Sequence, residues 1–402
     1  MKEVIRIKTN QKHSWSTQQI TGQQLYFTSL LIYLTAAFLQ NTTFSNFVGS
    51  RPFNLISYAV FVILVFKIFF YDRYKFSTNI VIGLCLFLAV TVWWQTKSNL
   101  ILVMTGLILG MGHIDFNRVI RLSLQLNFWL LVAVIACAIT GIIANLAFVA
   151  DGRGTRYALG IIYPTDFAAR VLYIILADVY LNYRTLIWRR YVIYAVIACI
   201  VKQVTDARLN FICMLLIIPV VALAKYAEKQ HQNSQQLLAV KTVASYWVLT
   251  PILTAVALFM TVLYDPANHL ENKIDHLLSG RLTFGHLAVD RYPISMLGQH
   301  VVEHGFGNNL SLFKQGSANY LFIDSSFVRL FVVYGIITAV IIVGIMMYIS
   351  IKQSYYGNYA LPAILLIVTL SSVVEQHLLE PTYNLWLLAL IPTLNLTHLS
   401  EG

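Results

Sequence analysis

The chain has 402 residues, of which 58% are hydrophobic and 11% charged, with a formal net charge of +11. A soluble domain carries roughly 25% charged residues, so a chain this poor in charge cannot cover a water-facing surface of its size. Its apolar runs are long rather than alternating, which predicts an all-α polytopic membrane protein with no separate soluble domain. The positive excess lies mostly in short loops between apolar runs, where lysine and arginine set orientation, and so does not point to nucleic acid.

In chain order, the basic N-terminus MKEVIRIKTNQKHSWS is followed by an apolar run without a small-residue cleavage site, which reads as a retained helix. A spanning helix needs about 20 mainly apolar residues. Twelve segments qualify, near 24–41, 54–71, 78–95, 98–112, 124–148, 166–183, 191–206, 208–224, 241–264, 326–349, 359–377 and 382–398. The fourth is short, and the seventh and eighth almost fuse across VTDARLN. The expected organisation is a membrane bundle over 1–264, one large, partly helical loop over 265–325, and further membrane helices over 326–402. Cys85, Cys137, Cys199 and Cys213 all fall inside apolar runs and read as small hydrophobes, not as a disulfide framework or metal cluster.

With the N-terminus in the cytoplasm, the inside segments carry Lys2, Arg6, Lys8, Lys12, Arg73, Lys75, Arg118, Arg121, Arg184, Arg189, Arg190, Lys225, Lys229, Lys241 and Lys352. Twelve spans keep this positive-inside pattern to the end and place both termini in the cytoplasm and the large loop outside the cell membrane. Four polar segments then share the outer face: 150–166, 202–210, 265–324 and 375–381. The long one holds five of the ten histidines, and a structureless loop of that length would be unusual, so it is expected to fold and to act.

Charges near hydrocarbon need a partner or a purpose. Asp166 and Arg170, like Lys202 and Asp206, are spaced i, i+4; each pair reads as a local salt bridge, and with Arg208 they read as the charged floor of an outward cavity. Arg153 and Arg156 sit in a glycine-rich outer segment, GRGTR, where topology does not call for arginine. A guanidinium presents paired donors that match phosphate oxygens. The stretch SGRLTFGHLAVDR has a small-residue turn, Ser279-Gly280, and then Arg281, His286, Asp290 and Arg291 on a helix. That helix either lies loosely on lipid headgroups or grips one specific phosphate.

HVVEH (His300–His304) matches H-x-x-E-H, the inverted zinc-protease signature, with Glu375 and Glu380 downstream as third ligands. GFGNN follows at once and should end a helix there, and a catalytic zinc helix needs a supported core that orients its ligands, so no metal or other cofactor is expected. Asp324 stands where the long loop returns to the membrane, either capping the next helix, with Ser325 as a rival, or serving as a general base.

Four stretches together resemble the Wzy polysaccharide polymerases, within the wider O-antigen ligase and polymerase superfamily: GTRYALGIIYPTDFA, VTDARLNFI, LLSGRLTFGHLAV, and PISMLGQH with FIDSSFVRLFVVYGII. The resemblance implies a GT-C-like fold and a metal-independent glycosyltransferase. It would move a growing glycan from undecaprenyl pyrophosphate onto a lipid-linked repeat unit at the outer face, building exopolysaccharide or capsule. A flippase and a chain-length regulator of the same pathway are the implied partners, besides the lipid-linked oligosaccharide and the bilayer. Arg156, Arg208 and Arg281 match the family's arginines; Arg153 and Arg291 are further candidates for the pyrophosphate. Thr165 replaces the usual asparagine after Pro164, and Asp324 stands where the ligases carry a histidine, so Asp324, His286 and His304 all remain candidates for the base. A flippase for the same lipid, an O-antigen-type ligase and a membrane zinc hydrolase are the alternatives to test.

Overall fold

The computed structural model describes residues 21–149, 154–233, 238–305 and 320–400. Among the described residues the protein is all-α apart from one two-stranded hairpin. The helix α1 (Gly22–Gln40) opens on a capping box in which Thr21 and Gln24 satisfy each other's backbone amides. Then come α2 (Ser45–Val48), α3 (Arg51–Phe70), α4 (Phe76–Thr96), α5 (Leu100–Leu109) and α6 (Phe116–Ile139), the last capped by Asp115, which accepts from the Asn117 amide at 2.9 Å. Strands β1 (Ala147–Phe148) and β2 (Arg156–Tyr157) pair antiparallel. They lead to α7 (Pro164–Leu181), α8 (Trp188–Thr205), α9 (Arg208–Gln232), α10 (Leu238–Ala244) and α11 (Leu249–Val262). The loop that follows contains α12 (His269–Leu277) and α13 (Arg281–Arg291). The chain closes with α14 (Ser326–Arg329), a wide π turn over Leu330–Tyr334, α15 (Gly335–Tyr355), α16 (Ala360–Ser372) and α17 (Leu390–Ser400).

Among the described residues, six helical stretches are long and apolar enough to cross a membrane: Arg51–Phe70, Phe76–Thr96, Phe116–Ile139, Arg208–Gln232, Leu238–Val262 and Ser326–Tyr355. Leu55, Leu84, Phe87, Trp129 and Ile139 on these stretches are between 63% and 72% exposed. Apolar surface on that scale is tolerated only against lipid, so the protein is membrane-embedded. At the centre runs α16, in which every residue from Leu361 to Thr369 is buried, packed on α9, α11 and α15. A helix apolar on all sides belongs inside a bundle, and this one forms its axis.

Four apolar segments are not single helices. The segment 124–148 is helical only to Ile139, because Gly141 at φ +78° turns the chain away and 147–148 join the hairpin. The segment 241–264 is jointed by a 3-10 turn at Tyr246–Val248. The segment 382–398 begins as a turn held by Asn384, which donates to the Leu378 carbonyl (2.7 Å) and accepts from the Trp386 amide (3.1 Å); helix starts only after a 3-10 turn at Trp386–Ala389. The segment 326–349 is interrupted by the π turn, where the extended stretch 295–299 docks. Gln299 donates to the Val333 carbonyl (2.9 Å), and the amides of Ile336 and Ile337 donate to Ser295 (3.0 Å) and Met296 (3.1 Å). Gly298 and Gly335, both at positive φ, make that approach possible: a Cβ on Gly298 would lie 2.4 Å from the Val333 carbonyl oxygen.

Candidate functional site

Three long loops and three helix starts meet at one end of the bundle around a cavity of about 430 Å³. Its walls include Arg156, Tyr163, Arg208, Arg281, Tyr320, Asp324 and Glu375. Each cation reaches it by a different local device. Arg156 leaves β2 and is anchored at its Nε, which donates to the Thr205 carbonyl (2.8 Å) at the end of α8; its guanidinium lies 5.7 Å from the Tyr163 ring. Arg208 is the first residue of α9, delivered by a tight turn in which Asp206 adopts φ +48°. Lys202 pairs with Asp206, as the i, i+4 spacing predicts, and the Arg208 Nε is 3.9 Å from the same carboxylate. The Arg208 side chain is 48% exposed, the most accessible of the three.

Arg281 is the first residue of α13, entered through the left-handed pair Ser279 and Gly280. All three of its nitrogens are engaged. The Nε donates to the Val374 carbonyl (2.6 Å), one terminal nitrogen to the Leu278 carbonyl (3.0 Å) and the other to Glu375 Oε1 (3.3 Å); Asp324 Oδ2 lies 4.0 Å away. Glu375, just beyond the end of α16, also accepts from Asn210 Nδ2 (3.1 Å). Its backbone carbonyl accepts from the amide (3.1 Å) and the hydroxyl of Ser326. Burial pushes the Glu375 carboxyl up to about 7, against the pull of the Arg281 and His377 charges. Asp324 is likewise raised by burial and held back by Arg281, but its side chain keeps 29% exposure where that of Glu375 keeps 5%. The capping role at the next helix falls to Ser325, whose hydroxyl accepts from the Val328 amide, leaving the Asp324 carboxylate to face the cavity.

The helices α7, α9 and α13 all begin at this cavity, through Thr165, Arg208 and Arg281. The partial positive charge of each helix start therefore adds to that of the guanidiniums. In the empty cavity the three arginines are offset by Asp206, Asp324 and Glu375. An anion entering it would meet prearranged donors on several sides.

Other expected residues lie elsewhere. His286 sits on α13 but turns away, its Nδ1 3.0 Å from the Thr261 carbonyl and its Nε2 3.5 Å from Asp290. Arg291 is the exposed last residue of α13, ten positions and nearly three turns from Arg281, and does not line the cavity. His304 is exposed on an extended stretch whose backbone pairs with Leu321. HVVEH is accordingly not helical: His300 faces the Thr96 carbonyl (3.3 Å), whereas Glu303 forms an ion pair with Arg329. Arg153 lies outside the described residues. Asp166 and Arg170 do not pair despite their spacing. Asp166 lies 3.5 Å from His377, whose other nitrogen is 3.3 Å from Glu380. Arg170 is buried between the rings of Phe38 and Tyr383, each 4.1 Å away, and donates to Asn127 (3.0 Å).

Glu375, Asn210 and Tyr163 are cavity residues that motif reading passes over. A signal for Glu375 existed in the polar island EQHLLEP, but its two glutamates suggested metal ligands, not a clasp for Arg281. No family model matches the chain, and nothing among the curated proteins or the solved structures matches it.

Proposed function

We propose that the protein is a glycan polymerase of the Wzy type. In this reading it has twelve spans in a GT-C-like arrangement, its termini are cytoplasmic, and the cavity opens at the outer face of the cell membrane. The substrates are oligosaccharide repeat units carried on a polyprenyl diphosphate such as undecaprenyl pyrophosphate. The observation that carries the reading is the convergence of Arg156, Arg208 and Arg281 with three helix starts on one cavity beside a half-buried carboxylate.

The reaction needs no nucleotide, because the donor brings its own leaving group. An acceptor hydroxyl oxygen attacks the anomeric carbon, and the bond from that carbon to the diphosphate oxygen breaks. The bonding pair leaves with the diphosphate, whose growing charge is met by the arginines and the helix amides. The hydroxyl proton passes to a base. Among the three candidates Asp324 alone lines the cavity, so it takes that role here, while Glu375 orients Arg281 as a positioning residue. Tyr163 and Tyr320 offer ring faces to the sugars.

Arg281→Ala and Arg156→Ala are each expected to lower polymer synthesis by roughly a hundredfold or more, the usual cost of deleting a preorganised donor to a developing anion. Single lipid-linked units should then accumulate. Purified protein incubated with defined lipid-linked repeat units, with product length and anomeric configuration read out, makes the direct test. Absence of polymer from the wild type overturns the proposal, and full-length polymer from both variants overturns the arginine site; transfer of a finished glycan to a different acceptor points to a ligase, and translocation in vesicles without chain growth points to a flippase.

A further inference from the structure

Next to the cavity, α12 presents two adjacent exposed edges of different chemistry. His269, Lys273 and His276 recur at helical spacing and, with Asn272 and Leu277, line an open groove of about 520 Å³. Within the described residues no ion pair engages any of the three basic side chains. About a quarter-turn round the helix lie Leu270 and Leu277, 65% and 61% exposed, with Ile274 between them. The remaining side is spent on holding the helix in place. Asp275, buried, accepts from the amides of Leu282 (2.8 Å) and Thr283 (3.3 Å) and from the Thr283 hydroxyl (2.6 Å), tying α12 to the start of α13. Glu271 is taken up by the Asp265 amide (2.7 Å) and Asn268 (2.9 Å). The two outward edges are thus rigidly presented.

An apolar edge beside a basic one is the pattern of a helix lying at the boundary between acyl chains and phosphates. Leu277 belongs to both the groove and the wall of the cavity, so the two are neighbours across this residue. Lys273 is matched in charge to a diphosphate, and Leu270 and Leu277 are matched in polarity to an isoprenoid. We propose that α12 is the landing site of the diphosphate lipid substrate: His269, Lys273 and His276 receive its phosphates in the groove, its isoprenoid lies along Leu270, Ile274 and Leu277, and Leu277 passes it to Arg281. This rests on the polymerase reading, and it assigns to α12 the headgroup contact that the sequence suggested for α13.

The test uses full-length protein in nanodiscs of phosphatidylcholine alone, so that bulk anionic lipid cannot occupy the groove. Undecaprenyl diphosphate without sugar is titrated in and its binding read by native mass spectrometry; in parallel, KM and kcat are measured with the lipid-linked repeat unit. Lys273→Glu is expected to weaken binding and raise KM roughly tenfold with little change in kcat, and Leu270→Ser to weaken binding more modestly. Lys273→Gln, which removes the charge without reversing it, should fall between wild type and Lys273→Glu. Unchanged binding and KM in all three variants overturns the landing site, as does an effect that appears only when phosphatidylglycerol is added, which would make bulk headgroups the occupant. The wild type separates the two proposals: if it makes no polymer from the lipid-linked repeat unit, the polymerase reading has failed, whereas if it polymerises and the α12 variants behave as wild type, only the landing site has.

Discussion

Asp324 and Glu375 flank the same guanidinium, yet their surroundings give them different work. Glu375 is clasped by Arg281 and Asn210 and is nearly sealed, whereas Asp324 stays open to the cavity. Burial raises Glu375 to about 7, so the folded protein holds a proton that the unfolded chain releases near the ordinary value of 4.5. The stability this confers is complete below that lower value and is lost as pH rises through the folded one. The effect is on the order of 3 kcal/mol across the window. Glu375→Gln, neutral at every pH, is expected to remove this slope: the apparent Tm of the wild type should drop relative to the variant between about pH 5 and about pH 8. Parallel Tm curves for the two proteins would contradict a buried, proton-retaining Glu375. The Glu303–Arg329 pair carries a different burden, since Arg329 also donates to the Ile323 carbonyl (3.1 Å) and to Gln376 (3.3 Å). Arg329→Met leaves the half-buried Glu303 without its cation and is expected to cost about 2–3 kcal/mol, seen as a lowered unfolding temperature.

At the scale of elements, the loop over 265–325 is tied to the bundle at two places along its course. His286 of α13 meets the Thr261 carbonyl of α11 at 3.0 Å, and the 295–299 stretch docks on the π turn of the Ser326–Tyr355 run. A π turn frees backbone groups that an unbroken helix would use, and here they bind the loop. Gly298→Ala puts a methyl 2.4 Å from the Val333 carbonyl oxygen at φ +86°, so it combines steric overlap with backbone strain. A loss of several kcal/mol is expected, with Asp324 and Arg281 pulled out of register, readable as lower Tm together with reduced kcat. Gly83, which has open space around its would-be Cβ, is the control: Gly83→Ala should leave both measurements unchanged. The sequence marks 293–300 as a motif through proline and glycine, but the partner of that glycine lies thirty-five residues downstream and is invisible without the fold.

At the scale of the whole molecule, the proposal requires the hairpin and α12 to share one side of the membrane. Cysteines introduced at Gly154 and Asn272, in a background lacking the native four, are expected to react with a membrane-impermeant maleimide on intact cells. One at Arg184, between α7 and α8, should react only after permeabilisation. Labelling of Gly154→Cys and Asn272→Cys from opposite sides would be incompatible with a common cavity. The pairs Lys67–Asp72 and Asp178–Arg190 stay away from the cavity. Lys67 donates to the carbonyls of Gly110 (2.7 Å) and Gly112 (3.1 Å) and ties α3 to the turn after α5. They brace the bundle and contribute no group to the proposed reaction.

Membrane embedding and helical architecture were legible in the sequence because hydropathy is a local property: each run of apolar residues reports its own preference for lipid, whatever it later packs against. The candidate cations Arg156, Arg208 and Arg281 were also legible, through short polar motifs in otherwise greasy surroundings. Which polar residues meet was decided only by the tertiary structure. Each residue along a helix turns by about 100°, so His286 and Arg291 share α13 with Arg281 and still face elsewhere. Asp166 and Arg170 are one turn apart and engage different partners, while Glu375 reaches Arg281 across 94 residues. Burial in the assembled bundle, a property of no single segment, then raises Glu375 and leaves Asp324 the more accessible of the two carboxylates beside Arg281.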